Sequence, residues 1–261
     1  MSDFRDDLNG MLTDADPVRR AQIQMQKPAT KRFYKQVTIG KAESGGYAVL
    51  LDGRSLKTPA KNTLTVPTEA LGALLRDEWD AQGETIEPDT MPVTRLVNTA
   101  IDGVSREHRA VFDEILRFAG TDMLCYRADR PEGLVIRQKD SWDPILEWMA
   151  VAGGAPFVTV SGIMHAEQPR AAINGYAELL RSYATPLGLT CLHTVTSLTG
   201  SAILAIAFAE RFRTPDEVWA AAHVDEDWQI SQWGEDFEAK VRRERRRIEF
   251  DAAVRTLDSL R

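Results

Sequence analysis

Thr196–Phe212 reads T-S-L-T-G-S-A-I-L-A-I-A-F-A-E-R-F, and this run decides the architecture. It is apolar nearly all round, and a helix with no polar face belongs at the centre of a packed helical body. Its most apolar part, Leu198 to Phe208, is too short to span a bilayer and closes on Glu210 and Arg211. Gly200, Ser201, Ala202 and Ala205 are small enough for neighbouring helices to approach closely. One buried central helix is therefore expected in the second half of the chain.

The flanks agree with that centre. From Arg137 onward the pattern is helical almost throughout, with Pro144 expected in a first turn capped by Asp143 or Ser141. Gly153 to Pro156 reads as a connection and Val158 to Ile163 as a short extended piece. A helix after Pro169 carries Ile173, Tyr176, Leu179, Leu180 and Tyr183 and is stopped by Pro186 and Gly188. Thr214-Pro215-Asp216-Glu217 opens another helix with a capping residue and early acids.

The first half reads differently. Phe33, Tyr34, Val37 and Ile39 suggest a strand, Ser44-Gly45-Gly46 a turn, Tyr47 to Leu51 the return strand, and Asp52-Gly53 a second turn. Two short extended pieces follow around Pro59 and Asn62. Pro67 opens a helix with Leu71, Leu74, Leu75 and Trp79 on its apolar side. Leu96 to Val104 and Val111 to Phe118 continue with helical spacing, until Pro131 and Gly133 break the pattern. The expected class is α+β: a flexible arm over residues 1–30, a β-rich α+β domain over 31–130, and an all-α domain over 131–261. A short helix from Arg19 through Ile23 and Met25 is conceivable within the arm.

Bulk composition bounds the function. With 261 residues and 43% hydrophobic content a packed core is within reach, and a net charge of -7 gives no general attraction to nucleic acid or anionic lipid. The start, M-S-D-F-R-D-D-L-N-G, is acidic and lacks an apolar core, so no secretory signal or transit peptide is expected and the chain reads as cytoplasmic. Cys125 and Cys191 make neither a disulfide framework nor a zinc spacing. His108, His165, His193 and His223 are scattered, so no metal and no cofactor are expected. No phosphate-cradling glycine motif and no nucleophile elbow is present.

The stretch Glu226–Glu238, E-D-W-Q-I-S-Q-W-G-E-D-F-E, carries the functional signal. On a helical wheel Ile230, Trp233, Phe237 and Val241 share one side, Ile248 continues the line, and Glu226 and Glu244 project onto it. Trp228 points the opposite way, among Ser231, Gln232, Glu235 and Arg242. A carboxylate on the apolar side needs a partner, and an exposed indole needs a cover. The plainer account is that helices pack on both sides, with an Arg pairing Glu226. The sharper one is that this helix receives another protein. His223, one turn before Glu226, reads as an ordinary hydrogen-bond partner. The run K-V-R-R-E-R-R-R-I reads as a solvated face, its arginines pairing with Glu238, Glu244, Glu249 and Asp251.

An ordered set of motifs resembles the family of assembly chaperones that bind the α subunit of the catalytic head of F-type ATP synthase. It consists of K-R-F-Y-K-Q-V at 31–37, L-D-G-R-S-L-K-T-P at 51–59, M-P-V-T-R-L-V-N-T-A-I-D at 91–102, D-M-L-C-Y-R at 122–127, P-E-G-L at 131–134, W-D-P at 142–144 and Q-I-S-Q-W-G at 229–234. The resemblance implies a non-enzyme that keeps the free α subunit soluble until the β subunit replaces it. It implies client-binding roles for Glu226, Gln229, Trp233, Asp236 and Glu238, to which Trp228 is added as the indole needing a cover. Relatives of this family occur in the mitochondrial matrix. The basic segment from Lys240 departs from the mitochondrial form. Partners then reduce to the α subunit, with no nucleic acid, no membrane insertion and no small-molecule substrate. A monomer is expected, since no self-complementary heptad stands out. Two other readings compete: a structural scaffold in which Glu226 and Trp233 tie two domains together, and a small-molecule enzyme with an inter-domain cleft. The chaperone reading expects Glu226→Lys and Asp236→Lys to fold normally and fail to keep the client soluble.

Overall fold

The computed structural model describes residues 30–43, 45–162 and 167–261. Apart from Thr30, the expected N-terminal arm with its short helix lies outside them, as do Ser44 and Ile163. Two compact units are found. In the smaller, residues 30–33 meet residues 81–87 through backbone bonds from Arg32 to Glu84 and from Ile86 to Thr30, each 2.8 Å. The larger unit holds Tyr34–Asp80 and Pro88–Arg261, and everything below concerns it.

The larger unit begins with a small antiparallel sheet. Strand β1 (Val37–Lys41) pairs with β2 (Tyr47–Leu51) in the register Val37↔Leu51 to Lys41↔Tyr47. Strands β3 (Arg54–Ser55) and β4 (Thr65–Val66) both pair with β2. The Asp52-Gly53 turn has φ of 48° and 80°, the left-handed pair that closes a two-residue hairpin. The Asp52 carboxylate also accepts from the Gln36 N–H at 2.8 Å, fastening the chain before β1 to the turn. The first strand starts at Val37 rather than Phe33.

Helix α1 (Glu69–Asp80) lies on this sheet, and α2 (Pro92–Thr99) runs through a π-helical turn (Ala100–Val104) into α3 (Ser105–Gly120). Glu78 on α1 accepts from the Val93 and Thr94 N–H groups, so one carboxylate serves as the cap that α2 lacks in its own sequence. Asp102 in the π turn accepts from Thr58 Oγ1, Ala60 N–H and Asn62 Nδ2, binding the loop before β4 to the helices.

Beyond lie α4 (Glu132–Ala152), α5 (Arg170–Arg181), α6 (Pro186–Thr199), α7 (Ala202–Ala209), α8 (Pro215–Ala222), α9 (Val224–Trp233) and α10 (Phe237–Ser259). A parallel bridge joins β5 (Tyr126–Arg127) to β6 (Val160–Ser161). The class is α+β, as expected. The central run is buried, every residue from Ala202 to Ala209 being inside. It is two helices, not one. Gly200 sits at φ 72° and ends α6, and Ser201 caps α7 by accepting from Leu204 N–H at 3.0 Å.

Three local expectations are also corrected. Pro144 lies inside α4 instead of opening a helix; it cannot donate to the Asp140 carbonyl, and Asp140 lies on the exposed side of the helix. Gly133 continues α4 rather than breaking it. Pro186 starts α6 behind the Thr185 cap as well as ending what precedes it.

The hinge between α6 and α7 rests on Asp122. Its fully buried carboxylate accepts from Leu124 N–H at 3.0 Å, and from Ser201 Oγ and Ile203 N–H at 2.9 Å each. Burial pushes its pKa up to about 6, with the bonds from Ile203, Ser201 and Leu124 pulling the other way.

Candidate client-docking site

Helix α9 begins behind His223, which ends α8. The first turn of α9 carries Asp225, Glu226 and Asp227, where the helix dipole favours negative charge. Two of the three are used internally. Asp225 accepts from Gln138 Nε2 of α4 at 2.7 Å, and Asp227 pairs with Arg243 of α10 at 2.5 Å.

Glu226 is the third, and it is held differently. No Arg pairs with it among the described residues; its nearest cation candidate is His223 Nε2 at 3.9 Å, beyond hydrogen-bond reach. His223 is buried and bonds through Nδ1 to the Trp219 carbonyl at 2.7 Å. Burial lowers its pKa, and the Arg243 guanidinium works in the same direction, so the ring is neutral at pH 7. Glu226 thus has no charged side chain within hydrogen-bond reach among the described residues.

The wheel placed Trp228 on a polar face needing a cover, and α4 supplies it. The indole lies so close to Gly133 that a Cβ there would sit 2.5 Å from Cη2, and the Arg137 guanidinium stacks 4.9 Å from the ring centroid. Trp228 therefore fastens α9 to α4 and faces inward. Gly133→Ala should force the indole out of its seat and cost about 2 kcal/mol. A urea melt reads the loss, and an unchanged midpoint with unchanged tryptophan emission would contradict the packing described.

The continuous stripe from Ile230 to Ile248 is broken. Gly234 at φ 89° ends α9, and Glu235 and Asp236 turn the chain into α10. Asp236 caps α10, accepting from Ala239 N–H at 2.8 Å, and Glu235 pairs with Lys240 at 2.9 Å. Either side of the turn stands an exposed aromatic: Trp233 is 79% and Phe237 75% accessible, values far from any core residue. Gln229 and Glu238 are exposed on the same elbow. Glu226, Gln229, Trp233, Asp236 and Glu238 are thus surface groups of one helix–turn–helix, while Trp228 supports it from behind.

Because Asp236 is a cap, charge and structure can be separated there. Asp236→Ala should cost about 1 kcal/mol, whereas Asp236→Asn should keep nearly all the stability while losing the charge. Equal melting curves for all three proteins would refute the capping role. Phe237, which the wheel placed on the apolar stripe but which was not among the expected client-binding residues, is exposed on the same elbow. Its signal was an aromatic three residues beyond Trp233-Gly234 in an otherwise acidic segment.

This unit has further concavities, two of which bear on a small-molecule reading. One of about 550 Å³ between α4, α8 and α9 has a mixed lining that includes Arg137, Asp140, Ile145, Glu217, Val224 and Asp227. Its carboxylates are partly committed, Asp227 to Arg243 and Glu217 to the Thr214 capping box. An apolar one of about 720 Å³ is lined by Ala100, Ile101, Pro186, Leu187 and Leu260. Asp122, the carboxyl raised to about 6, lines neither. Among the described residues no three His, Cys, Asp or Glu side chains form a metal-sized cluster, and no helix is long and apolar enough to cross a membrane.

Comparison with known proteins bears on the same geometry. Residues 31–150 match the model of the family described as ATP12 chaperone protein. The crystal structure of Atp12 from Paracoccus denitrificans superposes with a TM-score of 0.84 at 38% identity, over 89% of this chain and 99% of that one. That of Atu1473, a candidate chaperone from Agrobacterium tumefaciens, reaches a TM-score of 0.88 at 56% identity, over 98% and 96%. The mitochondrial protein atp12 of Schizosaccharomyces pombe is 26% identical over 82% of this chain and 77% of its own length.

Proposed function

The chain belongs to the ATP12 chaperone family, and from that premise we propose that it holds the free α subunit of the F-type ATP synthase catalytic head in soluble form until the β subunit displaces it. It works in the bacterial cytoplasm, as a monomer and without catalysing a reaction. The observation that carries this reading is the α9–α10 elbow. It presents two large aromatic side chains to solvent, ringed by carboxylates, on a support fastened by Trp228, Gln138 and Arg243. An exposed aromatic pair costs solubility unless something covers it. A polar rim around such anchors suits a contact that must later release.

The test is coexpression with the α subunit, followed by gel filtration and addition of β. A one-to-one complex that dissolves when β is added supports the proposal. Glu226→Lys should fold with an unchanged melting curve and lose at least about tenfold in client affinity, since a rim charge is reversed without touching a core contact. A wild-type chain that never retains the α subunit would end this reading. The scaffold reading keeps one specific support, the inward packing of Trp228, and predicts that Glu226→Lys unfolds the protein.

A further inference from the structure

The basic run on α10 was expected to neutralise itself, and only part of it does. Arg243 pairs with Asp227 at 2.5 Å, and Arg247 with Asp216 at 2.5 Å and Asp251 at 2.7 Å. Arg246 donates to the Leu198 carbonyl at 2.5 Å. Glu249, one turn beyond Arg245, is taken by Arg95 instead. Arg242 and Arg245 are exposed and make no ion pair among the described residues. They lie on the flank of α10 opposite Arg243 and Arg247, beside the apolar line of exposed Phe237, half-buried Val241 and exposed Ile248. That line continues about 16 Å along the helix from Phe237. Ile248 is 53% exposed, so the apolar surface does not stop at the elbow.

We infer that the docking surface extends along α10 to Ile248, and that Arg242 and Arg245 receive an acidic pair one helical turn apart on the bound polypeptide. The inference rests on the chaperone reading and adds the chemistry of the client segment: apolar side chains over Phe237 and Ile248, with carboxylates along one edge. Charge complementarity selects this occupant. An anionic lipid surface would suit the arginines, but Glu226, Glu235, Asp236 and Glu238 surround the aromatics that would have to insert, and the whole chain carries -7.

The experiment measures association of the full-length chain with purified α subunit across a salt series, for the wild type, R242E/R245E and R242K/R245K. The wild type is expected to associate about tenfold faster than R242E/R245E at low salt, with the gap closing at high salt. R242K/R245K is expected to retain most of the wild-type rate. Identical rates and salt slopes for the wild type and R242E/R245E would overturn the inference and leave the chaperone reading standing. A wild type that ignores the α subunit at all salts would overturn both. Binding of the wild type to vesicles of phosphatidylserine and phosphatidylcholine, lost in R242E/R245E, would also overturn it, in favour of a membrane surface.

Discussion

Asp122→Ala is expected to lower stability by about 5 kcal/mol, a large share of what a domain possesses. The loss does not come from the side chain's own burial. It comes from the Leu124 and Ile203 N–H groups and the Ser201 hydroxyl, all left in a dry interior with no acceptor. Each orphaned donor costs about 1–3 kcal/mol. They also define the break at Gly200-Ser201, so α7 would lose the cap that places it against its neighbours. Asp122→Asn keeps one acceptor and should lose about half as much. Urea denaturation at pH 7 separates the three proteins, and a loss below about 1 kcal/mol for the alanine variant would contradict this account.

The pH dependence of the same group runs opposite to that of an ordinary surface carboxylate. Its pKa is about 6 in the folded chain and 3.8 for the same carboxyl free in water, because burial disfavours the charge. Between those values the folded state binds the proton and the unfolded state does not. The contribution is therefore full below about pH 4 and is lost as pH rises through 6. The difference between 3.8 and about 6 corresponds to about 3 kcal/mol. Relative to Asp122→Asn, the wild type should be more stabilised at pH 4 than at pH 7 by that amount. A constant difference between the two proteins across this range would show that the carboxyl does not titrate as described.

That hinge also marks where sequence reading stops. The apolar run from Thr196 announces burial because no face of it is polar, and the Asp52-Gly53 turn announces itself because only a left-handed pair closes so short a hairpin. Gly200-Ser201 is a stop and a cap, but in an apolar run burial dominates the pattern, and the pair reads there as small residues for close packing. Asp122 could not be read at all. Its partner Ser201 is 79 residues away, and nothing local tells a buried capping carboxylate from a solvated one. The elbow shows the same division. Trp233, Gly234 and the acids around them were visible as an unusual cluster. That Trp228 turns inward follows only from Gly133, whose missing side chain leaves the indole its seat. Gly133 had looked like a helix breaker, which glycine usually is when its neighbour is unknown.

Trp233→Ala should therefore separate binding from folding more cleanly than any other substitution in the chain. The indole is 79% exposed, so its removal should leave stability within about 0.5 kcal/mol of the wild type. Aromatic anchors at the centre of an interface contribute about 2–4 kcal/mol, which is roughly 30-fold to 1000-fold in affinity for the free α subunit. Phe237→Ala should behave alike, and since the two flank one turn, their effects should fall short of additive. Trp228→Ala should do the reverse, losing about 3 kcal/mol of stability through the cavity left between α9 and α4. Melting curves with titration calorimetry against purified α subunit measure both axes. If Trp233→Ala bound as tightly as the wild type, the elbow would not be the docking surface. If it unfolded like Trp228→Ala, the indole would belong to the fold, and its exposure would have another cause.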